Sequence, residues 1–485
     1  MYKTEIRYRN KIQKKGMADK GMDIEENKNQ KSKKYEIDMC NGPILSKLLL
    51  FAIPLMCSSI LQLLFNAADI VVVGRFAGDH ALAAVGSNTS LINLLTNLFV
   101  GLSVGVNVLA AKYYGANKGK ELSQTVHTAM LISLYSGIFL TLIGICFARR
   151  LLVMMQTPAE VLELASLYLR VYFLGMTATM IYNFGSAILR AIGDTKRPLY
   201  YLLFAGVINV LLNLLLVIVF QMGVAGVAIA TAVSQCISAG LVVQCMMKES
   251  GPIKLILREL RIDPDKLARI LKIGLPAGFQ GIIFSLSNVV IQSSINTFGA
   301  VTVAGNAAAA NIEGFVYMAM NAFHQATVSF TGQNMGAGNY KRINRILLIS
   351  QVCVVTVGLL LGNLAILFGP NLLRIYSTSP QVIQAGMSRM LIICRTYAFC
   401  GMMDVMVGSL RGIGYSVMPM IVSLIGACGF RLLWLATLFQ MEQYHTVSMV
   451  YLSYPVSWIL TMLTHVICFI IVRRKLGNAA KITHT

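Results

Sequence analysis

One carboxylate lies deep inside an apolar stretch of the chain. Asp69 follows Pro54 by about four helical turns and Asn66 by about one. A carboxylate at bilayer depth costs about 2.5–3.5 kcal/mol on insertion scales, so it usually has a function. Desolvation favours its neutral form, and such a group can exchange a proton or a small hard cation. The alternative is a carboxylate near the helix end that pairs with Arg75 or is simply hydrated.

Neutral side chains with oxygen atoms in the same half of the chain are suitable partners for this carboxylate. Asn209 and Asn213 are four residues apart, which puts both amides on one face of a helix. Asn183 and Thr231 lie in neighbouring apolar runs. Amide and hydroxyl oxygens bind hard cations and hydrogen-bond a protonated carboxyl. Each amide alone is better explained by hydrogen bonding between helices, but the set predicts a site.

The second half of the chain has ionisable residues of its own. Asp404 lies in an apolar run at the position that corresponds to Asn183 in the first half. A buried pair with Arg395 or Arg411 is an equally good explanation of this carboxylate. Glu313, in another apolar run, is a candidate for attracting a cationic substrate. Three further arginines are expected to pair internally or to extend toward the membrane surface: Arg170, Arg389 and Arg431.

The elements that must position these residues are membrane-spanning helices. Apolar residues make up 56% of the 485 residues and charged residues 13%. Runs of about 18 or more apolar residues are long enough to cross a bilayer as a helix. The predicted spans are roughly 45–73, 83–110, 124–147, 164–189, 199–220, 224–247, 268–297, 302–330, 346–368, 382–410, 418–440 and 448–472. The predicted fold is an all-α polytopic membrane protein with about 12 transmembrane helices.

The chain contains an internal repeat. The segments 189–198 and 410–419 share Leu, Arg, Ile, Gly and Pro at equivalent positions, so that Arg190 corresponds to Arg411 at an offset of 221 residues. Six predicted spans fall in each half. An even number of spans gives both halves the same orientation, which predicts two parallel-repeat six-helix lobes that face each other across a substrate path.

The net charge of +21 reflects topology rather than a nucleic-acid partner. If both termini lie on one side of the membrane, most of the 41 Lys and Arg residues lie on that side too. The loops on the opposite side hold only four arginines: Arg75, Arg149, Arg150 and Arg374. This asymmetry predicts a multi-pass protein of the cell membrane with both termini in the cytoplasm.

These boundaries divide the chain into five segments. Residues 1–42 are rich in Lys, Glu and Asn and predict a disordered cytoplasmic tail. Residues 43–247 form the predicted N-lobe and residues 268–472 the predicted C-lobe. Between them, residues 248–267 are a cytoplasmic linker, which is either a short amphipathic surface helix or a solvated connector. Residues 473–485 are the predicted cytoplasmic C-terminal tail.

Enzyme and pump motifs are absent from the sequence. There is no Walker A motif, no G-x-S-x-G elbow and no H-E-x-x-H. The ten cysteines include no C-x-x-C pair and are interpreted as small apolar residues. We therefore expect no enzyme activity and no cofactor or resident metal. Any uphill transport would draw on an ion gradient.

The motifs together resemble the multidrug and toxic compound extrusion (MATE) family from about residue 39 to residue 472. The resemblance is carried by Gly42-Pro43-Ile44, Pro54, Asp69-x-x-x-x-Gly74, Leu189-Arg190-Ala191-Ile192-Gly193-Asp194-Thr195, and Asn209-x-x-x-Asn213 followed by Ala230-Thr231. It implies two six-helix bundles around an alternately exposed cavity, and export of cationic or amphipathic compounds in exchange for Na⁺ or H⁺.

The resemblance also implies roles for particular residues. In the family branch with an aspartate in the first helix, the matching ion site here is Asp69, Asn183, Asn209, Asn213 and Thr231. Another branch has a functional aspartate in the tenth helix, and Asp404 is similar to it in position. The expected partners are small organic cations or drugs and the lipid bilayer, and the expected oligomeric state is a monomer.

One departure from the family pattern bears on the coupling ion. Asn213 stands where the family usually has the carboxylate of its N-x-x-x-D motif. With one negative charge fewer, the site should hold Na⁺ more weakly, which favours H⁺ and leaves transient Na⁺ binding at Asp69 as the alternative. The alternative function is a lipid-linked saccharide flippase of the same superfamily, which would need cavity arginines for a pyrophosphate.

Overall fold

The computed structural model describes residues 35–482, apart from the side chains of Asp79 and of residues 477–482. The predicted disordered tail therefore lies mostly outside the described residues, as do the last three residues of the predicted C-terminal tail. The described part of the chain is helical and contains no β-strand.

Twelve long helical segments confirm the predicted fold class. They are α1 (Ile44–Phe76), α2 (Asp79–Gly115), α3 (Gly119–Met154), α4 (Ala159–Leu174 and Met176–Ala191), α5 (Lys196–Val219), α6 (Gly223–Lys248), α7 (Pro264–Asn296), α8 (Ala300–Gly336), α9 (Tyr340–Leu367), α10 (Pro380–Ile413), α11 (Val417–Gln440) and α12 (Val447–Ile482). Among the described residues, ten of them are long and apolar enough to cross a membrane alone. The two parts of α4, bent by 46°, form an eleventh span. The remaining segment, α8, is 37 residues long and interrupted by polar side chains.

The bend in α4 and the start of α7 both have local causes. Gly175 separates the two parts of α4, and a Cβ there would lie 2.8 Å from the Cα of Ala232 in α6. The bend thus occurs at a close contact between α4 and α6. At the start of α7, the Asp263 side chain caps the helix by accepting hydrogen bonds from the backbone N–H groups of Asp265 and Lys266. The helix therefore begins inside the segment predicted as a linker.

The rest of the linker packs against the first half of the molecule. Ile253 and Leu255 are buried, and the Ile256 N–H donates to Nε2 of His127 in α3 at 3.2 Å. The only helical structure between α6 and α7 is one 3-10 turn, Leu257–Glu259. The connector is thus neither a surface helix of any length nor a free solvated chain.

Residues 35–42 lie in the segment for which disorder was predicted, but in the structure they cross between the two halves. Met39 is fully buried, and Arg342 of α9 donates to its carbonyl oxygen at 3.2 Å. On the other side, Tyr114 of α2 donates to a carboxylate oxygen of Glu36 at 2.8 Å. This short segment therefore contacts both halves of the molecule.

The two halves meet through close helix crossings. α2 packs against α7 and α8, and α1 packs against α8. A Cβ at Gly101 would lie 2.2 Å from the backbone nitrogen of Gly278, and one at Gly115 would lie 2.0 Å from the carbonyl oxygen of Gln333. Only glycine allows backbones this close. Gly336 is the residue that corresponds to Gly115 in the second copy of the repeat. The two glycines lie at the same helix crossing, near the axis that relates the two halves.

These crossings occupy one side of the membrane. We call the side that carries most of the Lys and Arg residues the basic side; α1 and α7 begin there, and α2 and α8 end there. The crossings lie in the halves of the helices nearer that side, as does the edge-to-face contact of Phe51 with Phe330 at 5.7 Å. In the other halves, Asn66, Asn93 and Asn288 are exposed. Polar side chains at this depth face water rather than lipid, which indicates a cleft open to the opposite side.

The helix crossing at Gly336 should be sensitive to a single methyl group. A Cβ at this position would lie 1.9 Å from the carbonyl oxygen of Lys112, whereas a Cβ at Gly314 in the same helix meets nothing within 4 Å. Gly336→Ala is expected to reduce the free energy of unfolding by about 1–3 kcal/mol because the helices must separate. Thermal unfolding of both variants in detergent measures this; a Gly314→Ala variant destabilised as much would contradict it.

Candidate functional site

Asp69 is buried on α1, with only 7% of its surface exposed. It has no ion pair among the described residues, and Arg75 is exposed further along the helix. The explanation that Asp69 is a surface carboxylate paired with Arg75 therefore finds no support. A buried carboxylate without a cation must rely on hydrogen bonds or on a bound proton or metal ion.

The hydrogen bonds to Asp69 come from α5 and α6. The Asn213 amide donates to one carboxylate oxygen, and the Thr231 hydroxyl donates to the other at 3.2 Å. Asn209, one turn from Asn213, donates to the Thr231 hydroxyl oxygen at 3.4 Å and accepts from the Asn213 amide at 3.3 Å. We call these four residues the N-half site. They form one connected network in a region that is otherwise apolar.

Oxygen atoms dominate the chemistry of the N-half site. The Asn213 side-chain oxygen is buried and has no hydrogen-bond partner. Together with the carboxylate of Asp69 and the oxygens of Asn209 and Thr231, it gives a donor set that suits a proton or a small hard cation. Among the described residues no group of three or more His, Cys, Asp or Glu side chains could hold a metal ion. Any cation here would thus be bound mainly by neutral oxygens.

Asn183 is the one residue of the predicted set that stays outside this network. It lies half-buried on the second part of α4, and none of the hydrogen bonds in the described part of the chain joins it to Asp69. Instead, the first part of α4 brings Tyr168 and Tyr172 within electrostatic range of Asp69. Their rings stack with centroids 5.8 Å apart. Their i,i+4 spacing was visible in the sequence, but nothing there linked them to α1.

Glu313 does not offer a free negative charge. Its carboxylate accepts two hydrogen bonds from Arg389 of α10, at 2.9 Å and 2.7 Å, and both side chains are buried. Arg389 also donates to the side-chain oxygen of Asn306 at 2.7 Å. This bidentate pair neutralises Glu313, as was expected for Arg389. It argues against the hypothesis that Glu313 attracts a cationic substrate.

Asp404 lines a cavity of about 420 Å³ in the second half of the chain. The cavity is formed by α7, α8, α10, α11 and α12. We call it the C-half cavity. His324 donates from Nδ1 to the backbone oxygen of Asp404 at 2.6 Å, and Tyr317 lines the same cavity. Arg411 lies within electrostatic range but makes no ion pair with Asp404. Arg395 does not line this cavity.

Sequence reasoning missed several residues of the C-half cavity. Arg431 of α11 and Tyr454 and Trp458 of α12 line it. Arg431 was expected to pair internally or to extend toward the membrane surface, and the aromatic residues had no special feature in the sequence. Their i,i+4 spacing on α12 and an arginine inside an apolar run were the only available signals, and neither predicts which helices meet.

The MatE family model matches residues 54–215 and 276–436, one segment in each half of the chain. The chain belongs to this family. The two matched segments correspond to the two copies of the internal repeat. They include Asp69, Asn183, Asn209 and Asn213 in the first segment and Glu313 and Asp404 in the second.

Similar proteins and structures agree with membership of the MatE family. "Probable multidrug resistance protein YpnP" of Bacillus subtilis is 29% identical over 390 residues, which is 80% of this chain and 87% of the relative. An "FAD transporter" of Shewanella oneidensis is 25% identical over 71% of this chain and 77% of the relative. A solved outward-facing multidrug resistance MATE family transporter superposes with a TM-score of 0.85, at 21% identity, over 91% of this chain and 99% of that one. The last comparison shows the fold alone.

The Glu313–Arg389 pair should contribute to stability rather than to cation recognition. Glu313→Gln is expected to reduce the free energy of unfolding by about 3–5 kcal/mol because it leaves the Arg389 charge buried and unpaired. The double variant Glu313→Gln/Arg389→Gln should recover part of that loss. Thermal unfolding in detergent measures both; a Glu313→Gln protein of unchanged stability that has lost cation transport would contradict a structural role.

Proposed function

We propose that this protein is a secondary active exporter that moves amphipathic organic compounds out of the cell in exchange for H⁺, or for Na⁺, bound at Asp69. The observation that carries the proposal is a buried carboxylate that has no cationic partner in the described part of the chain and is hydrogen-bonded to neutral amide and hydroxyl groups. A resident salt bridge would hold one charge state through the whole cycle. Asp69 is free of that constraint and can gain and lose a cation.

The names of the relatives support export of organic compounds. Besides the probable multidrug resistance protein, they include the "Multidrug export protein MepA" of Staphylococcus aureus, 22% identical over 71% of this chain. These names and the MatE match favour an exporter over a lipid-linked saccharide flippase. The family resemblance includes cations among the expected compounds.

We propose alternating access between two lobes, residues 43–247 and 268–472. The cleft indicated by the exposed amides corresponds to a state open away from the basic side. By the positive-inside rule, the basic side is the cytoplasm, so this state would face outward in the cell membrane. Drug would leave and the coupling ion would enter from this cleft. The lobes would then rock about the glycine crossings of α2 with α7 and α8.

The first helix gives this mechanism a physical link. α1 carries Asp69 near one end, and Phe51 near the other end contacts Phe330 of the second half. Neutralising Asp69 changes its hydrogen bonds to α5 and α6, and thus the packing of α1 within the first lobe. Because the same helix touches the other lobe, ion binding and lobe position become coupled. Such coupling is reciprocal between ion and drug.

H⁺ is the coupling ion that the N-half site favours. The Asn213 amide donates to the Asp69 carboxylate, so its N–H group occupies a position at which Na⁺ would need an oxygen atom. A single carboxylate also provides only one negative charge for a cation in an apolar lobe. A proton needs one oxygen of Asp69 and no further ligands.

Asp69→Asn is expected to abolish energised efflux because an amide cannot exchange a cation. Dye accumulation should rise to the level of cells without the transporter, and a protonophore should not increase this accumulation further. Glu163→Gln, which removes the same charge from an exposed position in the same half, is the matched control and should export normally. The measurement is accumulation of ethidium and of fluorescein in cells that lack other exporters, with equal membrane levels of each protein. Wild-type efflux by Asp69→Asn would refute the assignment.

Removal of Na⁺ at fixed pH should leave efflux by the wild-type protein largely intact. Asn213→Asp restores a second carboxylate to the N-half site, and it should make efflux depend on Na⁺ because two negative charges hold that ion more strongly. Efflux from vesicles with imposed H⁺ or Na⁺ gradients separates the two cases. Complete loss of wild-type transport without Na⁺ would contradict proton coupling.

A further inference from the structure

The C-half cavity has an excess of positive charge. Its charged lining residues are Asp404, Arg411 and Arg431, one carboxylate against two guanidinium groups. The buried Glu313 and Arg389 nearby neutralise each other and do not change this balance. A cavity with this balance repels an organic cation and attracts an anion.

Arg431 is the clearest sign that the cavity lacks an acceptor. It is only 3% exposed, and its one hydrogen bond runs from Nε to the Ser457 hydroxyl at 2.8 Å. Its Nη2 group is buried and has no hydrogen-bond partner among the described residues. A guanidinium has five N–H donors, and leaving them unpaired at this depth is costly. The π faces of Tyr454, at 4.2 Å, and Trp458, at 5.7 Å, compensate only in part.

Arg411 repeats the pattern on the neighbouring helix α10. It is 6% exposed, it donates from Nη2 to the Gln280 side-chain oxygen at 2.7 Å, and its Nε has no partner. Asp404 does not take up these donors, since no ion pair joins the two side chains among the described residues. Two buried guanidinium groups on one cavity thus have donors to spare.

Several aromatic side chains also line the cavity. Tyr397 lies 5.5 Å from Trp458 and 6.4 Å from Tyr317, measured between ring centroids, and Tyr454 lies 5.8 Å from Trp458. Such a cluster offers both ring faces and edges to a planar ligand. A volume of about 420 Å³ is in the range of sites for small organic molecules.

We propose that the C-half cavity binds an aromatic anion, a planar ring that carries a carboxylate, phosphate or sulfonate. The acidic group accepts hydrogen bonds from Arg411 and Arg431, and the ring packs among Tyr397, Tyr454 and Trp458. This inference rests on the proposed export function for the role of the anion as cargo. At this cavity we therefore expect an organic anion rather than the organic cation that the family resemblance implies.

Two xanthene dyes of opposite charge provide the test. Fluorescein is an anion and pyronin Y a cation, and fluorescence anisotropy reports their binding to the purified full-length protein in detergent. Fluorescein should bind more tightly than pyronin Y. Arg431→Gln should weaken fluorescein binding about 10-fold or more, because a charged hydrogen bond is lost. Arg374→Gln removes the same charge from an exposed position in the same half and should change nothing.

Two further variants keep the test independent of folding. Arg431→Lys retains the charge and should bind fluorescein more tightly than Arg431→Gln does. Asp404→Asn removes the opposing charge and should strengthen fluorescein binding. Tighter binding of pyronin Y, or an equal effect of Arg431→Gln and Arg374→Gln, would overturn the proposal. Failure of ion coupling would appear in the efflux of Asp69→Asn, whereas failure of anion binding would appear in the anisotropy of the wild-type protein, so the two failures give different results.

Discussion

The absence of water inside a bilayer governs this structure more than any other constraint. Every polar side chain that the helices carry to membrane depth must find its partner within the protein or in a water-filled cleft. Glu313 solves this with a bidentate bond to Arg389, and Asp69 solves it with neutral donors from α5 and α6. The two solutions have opposite consequences. The ion pair with Arg389 keeps Glu313 charged, whereas Asp69, which is surrounded by neutral groups, can change its charge.

Duplication provided a symmetric scaffold on which the two halves then diverged. Glycines at equivalent positions, Gly115 and Gly336, meet near the local axis and set how closely the halves approach. The ionisable residues do not follow this symmetry. At the position that corresponds to Asp69 the second half has Ile291, which is buried, and Asp404 stands where the first half has Asn183. One half therefore carries a buried carboxylate among neutral groups, and the other carries a cavity with excess positive charge.

In the proposed function, this division separates the coupling ion from the cargo. The N-half site and the C-half cavity are formed by different helices, and neither shares a residue with the other. Communication between them must run through the packing of the two halves. α1 contacts both halves, and residues 35–42 extend that contact on the basic side through Arg342 and Tyr114. A shift of α1 in response to the charge of Asp69 would reach the second half by this route.

Much of the molecule could be predicted from the sequence, because hydrophobic length and repetition are local properties. The twelve helices, the register of the repeat and the helix face shared by Asn209 and Asn213 all follow from spacing along the chain. Contacts between helices do not. The sequence grouped Asn183 and Thr231 alike with Asp69, and only the helix packing brings Thr231 within hydrogen-bond distance of Asp69 and leaves Asn183 outside their network.

The sequence by itself thus determined that the chain is a duplicated membrane protein with an isolated carboxylate in its first helix. Only the tertiary structure decided which charges are neutralised. Glu313 and Arg389 are 76 residues apart, and their pairing depends on how α8 and α10 pack. The same packing leaves Arg411 and Arg431 with unused donors on one cavity. Whether the charge of a side chain is neutralised depends on its neighbours in space. Those neighbours are set by helix packing rather than by the order of residues along the chain.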